Sequence, residues 1–516
     1  MSGSARRTQS GVGRVHAAGL LLGLTTGTAA FTLAFSGPGA TVGTLVGSAL
    51  GALLVAVPLY VAMLRQSTSH GVGAIAAGVV LALPIVAVNN VDALDRMWEA
   101  SPDHPGSVRS VGAWTHGETV VRVRQDRAVA YRIADGEPLW TYTPPRQDTV
   151  CAMSGTPDQG VGLVGHSSTD EDCTTVDAVD LRTGNTLWTR RFKGETRTQD
   201  TADRAQTAVS GDFAVIREQG LGRPSDLSLR ELWMPGSVRA LGLRDGRQRW
   251  RHAAGPGCEM VEVTGGPAVA VVEDCGSKGV WSKVLRPADG HLDTRVRLPM
   301  TGRIEEIRTL SVRPLVLWVK QEGQRGTDTV LSYDAQARTR AAIAVSNPDF
   351  ELQPAFSPWR DHEALPARSA LVHAGRLFVT AVRPDDTKVS IDKNGRHSRT
   401  TGRITAYSLA DGRREWTTEF DGGVNGIAPD RRSIVAITSR GLIGLAAHTG
   451  KKLFDSGSPK AYEPAHLWVQ GNRYVVVRED GATDEKLRPV SVFGREPGPR
   501  PAPTAPDRRT AHALVP

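Results

Sequence analysis

Few residues in this chain are equipped for chemistry, and they are scattered. Four cysteines, Cys151, Cys173, Cys258 and Cys275, contain no CxxC spacing, so a zinc ion held by four thiolates is the weaker rival. Disulfides suit them better. Four cysteines admit three pairings, and 151 with 173 and 258 with 275 is the simplest. Each bond would close a loop of about 20 residues, nominally ~3 kcal/mol. The 13 histidines form no HExxH and no paired zinc spacing. Asp361-His362-Glu363 is a polar triplet with acid–base or metal-binding side chains, but a solvated loop is the expectation there. TDED (169–172) and DKNG (392–395) lack the carboxylate series and closing Glu of a calcium loop. No GxSxG, Walker or dinucleotide fingerprint has suitable flanks. No catalytic residue and no metal ligand is assigned.

The elements that must position these residues repeat. AYRIADGEPLW (130–140), AVDLRTGNTLW (178–188), ALGLRDGRQRW (240–250) and ITAYSLADGRREW (404–416) share one shape, and GLIGLAAHTGKKLF (441–454) is a fifth copy ending in Phe. KVLRPADGHLD (283–293) keeps the Asp-Gly without the Trp, and LSYDAQARTR (331–340) is a degraded copy with Gln336 at the turn. The turn positions Gly136, Gly184, Gly246, Gly290, Gln336, Gly412 and Gly450 are 48, 62, 44, 46, 76 and 38 residues apart. A period of this length indicates a propeller or solenoid. Locally each copy is a strand with period-two alternation, then a tight turn whose glycine can take positive φ. A short return strand follows and ends in Trp140, Trp188, Trp250, Trp416 or Phe454, four residues past the glycine. Such a ring, at a fixed offset from a turn, can fill the gap between neighbouring sheets, contributing a few kcal/mol at roughly 25 cal/mol per Å². VNGIAPDRRSIVAITSRGLIGLAAHTGKKLF (424–454) shows the whole unit as four short strands.

The expectation is an all-β propeller over 108–494, of about eight four-stranded blades at about 48 residues each, with seven as the alternative. The last unit, 466–494, shows three strands, so SVGAW (110–114) is expected to complete it and close the ring.

Ahead of the repeat lie three apolar runs without Asp, Glu, Lys or Arg: 16–35, 40–64 and 71–91. Each is long enough to cross a hydrocarbon layer of ~30 Å as a helix. Arg6, Arg7 and Arg14 before the first and Arg65 after the second place the N-terminus (1–15) in the cytoplasm and the repeat outside. A cleaved signal peptide at the first run is the rival. Gly43, Gly47 and Gly51 on the second run suit close helix packing or homodimerisation. The expected organisation is a three-helix transmembrane anchor (16–91) in plasma-membrane lipid, a linker (92–107), the extracytoplasmic propeller, and a disordered Pro-rich tail (495–516). Residues 1–100 hold five Arg against three acids, leaving +6 of the formal +8 for the rest. So mild an excess, with no basic stripe, argues against nucleic acid.

The motif Ala-x-x-Leu-x-[Thr/Asp]-Gly-x-x-x-Trp, fullest in AVDLRTGNTLW, resembles the tryptophan-docking repeat of quinoprotein dehydrogenases and of the non-enzymatic PQQ-like propeller proteins of bacterial envelopes. The resemblance implies indoles that dock one blade on the next. For the enzymes it would also imply pyrroloquinoline quinone with calcium, a disulfide between adjacent cysteines, a calcium site of Glu, Asn and Asp, and a catalytic Asp. Here no two cysteines are adjacent, and no such acidic set is matched. The leading expectation is therefore a membrane-anchored binding or scaffolding module, holding a protein, peptide or cell-wall component on its loops without a cofactor. A PQQ-dependent dehydrogenase feeding membrane quinone and an envelope sensor are the alternatives. Two segments depart from the blade pattern as candidate partner contacts: 346–369, with Phe350, Phe356 and Trp359, and the polar, basic 383–403.

Overall fold

The second strand of each blade is an almost unbroken apolar run, and such a run is stable only when covered on both faces. Val161–Ser167 (VGLVGHS) and Ser433–Thr438 (SIVAIT) are buried at every position. The fourth strands are mostly exposed: in Thr186–Arg191 only Trp188 is buried, and in Leu292–Arg297 only Val296. This gradient builds a radial stack of sheets with a buried interior and a wet rim.

The computed structural model describes residues 94–494, apart from 106–107, 169–172, 174, 193–206, 219–235, 301–303, 324–325, 356–366, 384–385, 393–394 and 480–487. The three apolar runs, the Gly43/Gly47/Gly51 ladder and the tail lie outside the described residues. Among those described, no helix is long and apolar enough to cross a membrane.

The described strands form eight antiparallel sheets. Blade 1 runs Ser110–His116, Thr119–Arg124, Ala128–Arg132 and Pro138–Tyr142. Blades 2 to 5 repeat this over 149–191, 207–253, 259–297 and 304–344, and blade 7 over 424–455. Blade 8 takes three strands from the C-terminal end, Ala465–Gln470, Arg473–Arg478 and Val490–Gly494. Its fourth is Asp95–Glu99. The innermost strands of successive blades touch in turn all the way round, blade 8 meeting blade 1. The ring is eight-bladed and closed, which excludes the seven-bladed alternative.

Two expectations are corrected. SVGAW does not close the ring; it begins the innermost strand of blade 1. There Trp114 packs over Gly162 of blade 2 and donates to the Ser154 carbonyl at 2.7 Å. The closing strand is DRMWE (95–99), inside the segment assigned to the linker. Blade 6 also departs from the plain unit. Its inner strand is in two pieces, Glu351–Gln353 and Ala370–His373, both paired with Arg376–Val382. Its long strand Gly395–Ser408 runs out of the blade to form a hairpin with Thr387–Asp392. The basic segment 383–403 is thus largely ladder rather than loop.

Indoles join the blades in series. Trp98 of the closing strand lies over Gly136, so close that a Cβ there would sit 2.6 Å from the ring, and its Nε1 donates to the Ile133 carbonyl at 2.8 Å. Trp140 repeats this on Gly184 and Leu181, Trp188 on Gly246 and Leu243, Trp250 on Gly290 and Pro287, and Trp416 on Gly450 and Ala447. Each turn glycine has φ between 60° and 79°. It therefore serves twice, as a left-handed turn residue and as a floor for the ring. Gly412 has no indole; Ala341 of blade 5 approaches it, and Ser332 donates its hydroxyl to the Leu409 carbonyl at 3.1 Å in place of an indole N–H. The degraded turn puts Ala337, not Gln336, at positive φ (63°). Phe454 packs against Tyr474 of blade 8, ring centroids 5.8 Å apart.

Replacing Trp98 by Ala should lower stability in guanidinium titrations by roughly 3–5 kcal/mol, as much as Trp140→Ala. A far smaller loss for Trp98→Ala would show that the ring does not close through this strand.

Candidate functional site

Strands that alternate in direction deliver their connections to two faces. First-to-second and third-to-fourth turns share one face, and each is two to seven residues long. Second-to-third and fourth-to-first connections share the other. The connections that join Arg191 to Thr207, Glu218 to Ser237 and Arg478 to Val490 begin and end there, as does the blade 6 hairpin. The insertion 354–369 interrupts the inner strand of blade 6. One face is trimmed and the other elaborated. The chain enters the ring at Leu94 and leaves after Gly494, both on the trimmed face, since Asp95 and Gly494 are paired.

Charged side chains are buried directly beneath the elaborated face, where second strands end. In blade 2, His166 is 1% exposed; Asp148 lies 2.8 Å from its Nδ1 and Asp177 lies 3.5 Å from its Nε2. Tyr142 of blade 1 donates to Asp177 at 2.8 Å. Burial alone would lower the His166 pKa, but the hydrogen bonds and charges of Asp177 and Asp148 outweigh it and hold it above its ordinary value. Asp177 is held below its own, since His166, Thr189 and Tyr142 outweigh the effect of burial. In blade 4, Glu273 accepts from Lys283 at 2.6 Å and lies 3.4 Å from His252. These partners overcome its burial and depress its pKa. In blade 6, Arg403 is 1% exposed and forks onto Asp386 at 2.8 and 3.0 Å, with Glu419 at 2.9 Å.

Both disulfides brace the same face. Cys151 is bonded to Cys173 within blade 2, and Cys258 to Cys275 within blade 4. Cys258, Glu273 and Cys275 come close enough to suggest a metal site, but the two sulfurs are bonded to each other and offer no thiolate. The Asp148–His166–Asp177 set has the composition of an acid–base relay. His166 and Asp177 are buried, with Tyr142 as the hydroxyl neighbour, and Asp148 reaches the surface only slightly, the arrangement of a structural ion cluster. The two disulfides join cysteines 22 and 17 residues apart in sequence.

Of the other candidate positions, Phe350 is buried between blades 5 and 6 and is not available to a partner. Phe356, Trp359, Asp361, His362 and Glu363 lie outside the described residues, as do TDED and the middle two residues of DKNG; its ends, Asp392 and Gly395, pair in the blade 6 hairpin. The buried charges went unassigned by sequence reading. Their signal is an ionisable residue near the end of an otherwise apolar second strand, as in VGLVGHS and VAVVED.

Residues 87–284 match the family model described as outer membrane protein assembly factor BamB. Among solved structures, BamB from Moraxella catarrhalis is 13% identical with a TM-score of 0.44, covering 78% of this chain and 100% of that one. The computationally designed Ika8 protein is 13% identical with a TM-score of 0.46, over 77% and 99%. Sqt1 of Saccharomyces cerevisiae is 12% identical with a TM-score of 0.45, over 78% and 99%. No curated protein matches the chain. The resemblance to PQQ-like propellers drawn from the docking motif holds.

Two outcomes are expected. Replacing Cys151 and Cys173 together by Ser should cost ~3 kcal/mol in denaturant titration, the loop-closure contribution of one bridge. Since the folded His166 pKa is raised, its stabilising contribution is complete below about pH 6.5 and is lost as pH rises through the folded value. The denaturation midpoint should fall over that window, and His166→Gln should flatten the fall.

Proposed function

We propose that this BamB-like PQQ-repeat propeller is a membrane-anchored scaffold of the bacterial cell envelope that holds a partner protein on its elaborated face. The observation that carries the reading is the division of the ring into a trimmed face and an elaborated one. Loops presented on a rigid frame are where binding residues gather, and here every long connection is sent to one side. The two disulfides that brace that side suit an oxidising, extracytoplasmic compartment. The matching family is described as an assembly factor, an office of binding rather than of chemistry. The apolar runs at 16–91 would supply the anchor.

The test is photocrosslinking in intact cells. Tyr462, 72% exposed in the 456–464 connection of the elaborated face, is replaced by p-benzoylphenylalanine, and Glu137, on a trimmed-face turn, by the same residue. A discrete protein adduct from position 462 and none from 137 is expected. Adducts from 137 alone, or the same adducts from both, would overturn the assignment of the face.

A further inference from the structure

Every fourth strand carries a one-residue bulge just before the position of its docking ring, on the trimmed-face side of the rim. The bulged residue is exposed in all eight blades, as expected where a bulge re-aims a side chain. In blades 3, 4, 5 and 6 it is Arg249, Asp293, Arg340 and Glu415. In blades 7, 8, 1 and 2 it is Leu453, Met97, Leu139 and Leu187, exposed by 53, 44, 38 and 36%. One continuous half of the rim is therefore charged and the other apolar. Of the other large apolar side chains exposed among the described residues, Tyr462 lies on the elaborated face and Leu292 on blade 4, across the ring from blade 8. Folding does not ask for Leu or Met at the bulge, since the same position takes Arg, Asp or Glu on the opposite half of the ring. Four such tips in water cost free energy unless something covers them.

We propose that this half-rim is a lipid contact: the propeller rests on the membrane surface by the trimmed-face edge of blades 7, 8, 1 and 2, with Leu453, Met97, Leu139 and Leu187 in the headgroup layer. Two observations select lipid as the occupant. The last apolar run ends at residue 91, so three residues, at most about 11 Å of chain, lead from it to Leu94 and the strand that bears Met97. In this respect the inference rests on the membrane-anchor reading. The apolar tips also stand one to a blade, with exposed Lys452, Arg96 and Glu137 among them. They form no continuous patch such as the core of a protein interface requires, whereas a fluid interfacial layer takes up isolated apolar side chains. Charge beside the arc is paired within the ring: Lys452 with Asp455, Arg473 with Glu118, and Arg132 with Asp135 and Glu137. The contact is thus apolar and needs no anionic lipid.

All four native cysteines are held in disulfides, so a single added cysteine can be labelled. Leu139→Cys, Leu453→Cys and Leu292→Cys are made one at a time in the full chain and labelled with nitrobenzoxadiazole. Each labelled chain is reconstituted into phosphatidylcholine vesicles that carry a nitroxide high on the acyl chain. All three side chains are exposed, so the replacements leave the ring intact. Leu292, an exposed leucine across the ring, controls for the dye's own affinity for lipid. Quenching several-fold stronger at 139 and 453 than at 292 is expected. Equal quenching at all three positions overturns the half-rim contact. Its absence at 139 and 453, in chains that float with the vesicles, overturns the contact and leaves the anchor standing. Chains that do not float overturn both. Labels at 139 and 453 that are shielded from aqueous iodide yet untouched by the nitroxide would assign the rim to a protein, a second copy included, and so reject lipid.

Discussion

An indole resting on a glycine of the next sheet is the contact on which the ring depends. At five junctions the ring atoms stand where a Cβ would be, and the indole N–H reaches the carbonyl three residues before that glycine. Neither partner tolerates replacement in isolation: a side chain on the glycine would collide and would strain a left-handed backbone, while a smaller ring would leave a void between sheets. Each blade is too thin to hold a core of its own. The docked indole sets the spacing of its neighbour, and five such contacts, with a serine hydroxyl at one further junction and an aromatic pair at another, help hold the closed circle.

Most of this was legible in the sequence because the motif is local. Strand, Asp-Gly or Thr-Gly, and Trp fall within a dozen residues, so the copies at 130–140, 178–188, 240–250 and 404–416 announce themselves. The closing strand was not legible, because its turn and its ring are separated by nearly the whole chain. DRMWE has no glycine before it; the strand it pairs with is 490–494. One clue was present. Gly136 carries the full turn signature, and an indole for it had to come from upstream of blade 1, where Trp98 stands. The reading stumbled likewise at blade 5, where a serine hydroxyl and a small side chain do the work of an indole. Substitution of chemistry, rather than loss of structure, erased the signal there.

The candidate site was less legible than the fold. Disulfide pairing followed from spacing once the blades were drawn, but the ion clusters depend on contacts between blades, such as Tyr142 with Asp177 or Arg122 with the segment that precedes blade 1. Their placement explains how one face bears long connections without fraying. The second strands end in charged groups that pin the loop bases through buried hydrogen bonds, and the two disulfides do so covalently. The opposite face needs none of this, because its turns are short enough to be held by their own backbone.

The strand Asp95–Glu99 occupies an odd mechanical position. It is the first element of the ring after residue 94, and it is also the last strand of the circle, bonded only to 491–494 on one side. Any tension transmitted along the chain from upstream of Leu94 therefore loads the clasp of the circle before any other part. That short ladder and the Trp98 seat are placed in series with the pull. A force too small to unfold a blade could then unhook the ring at one place and leave seven sheets intact.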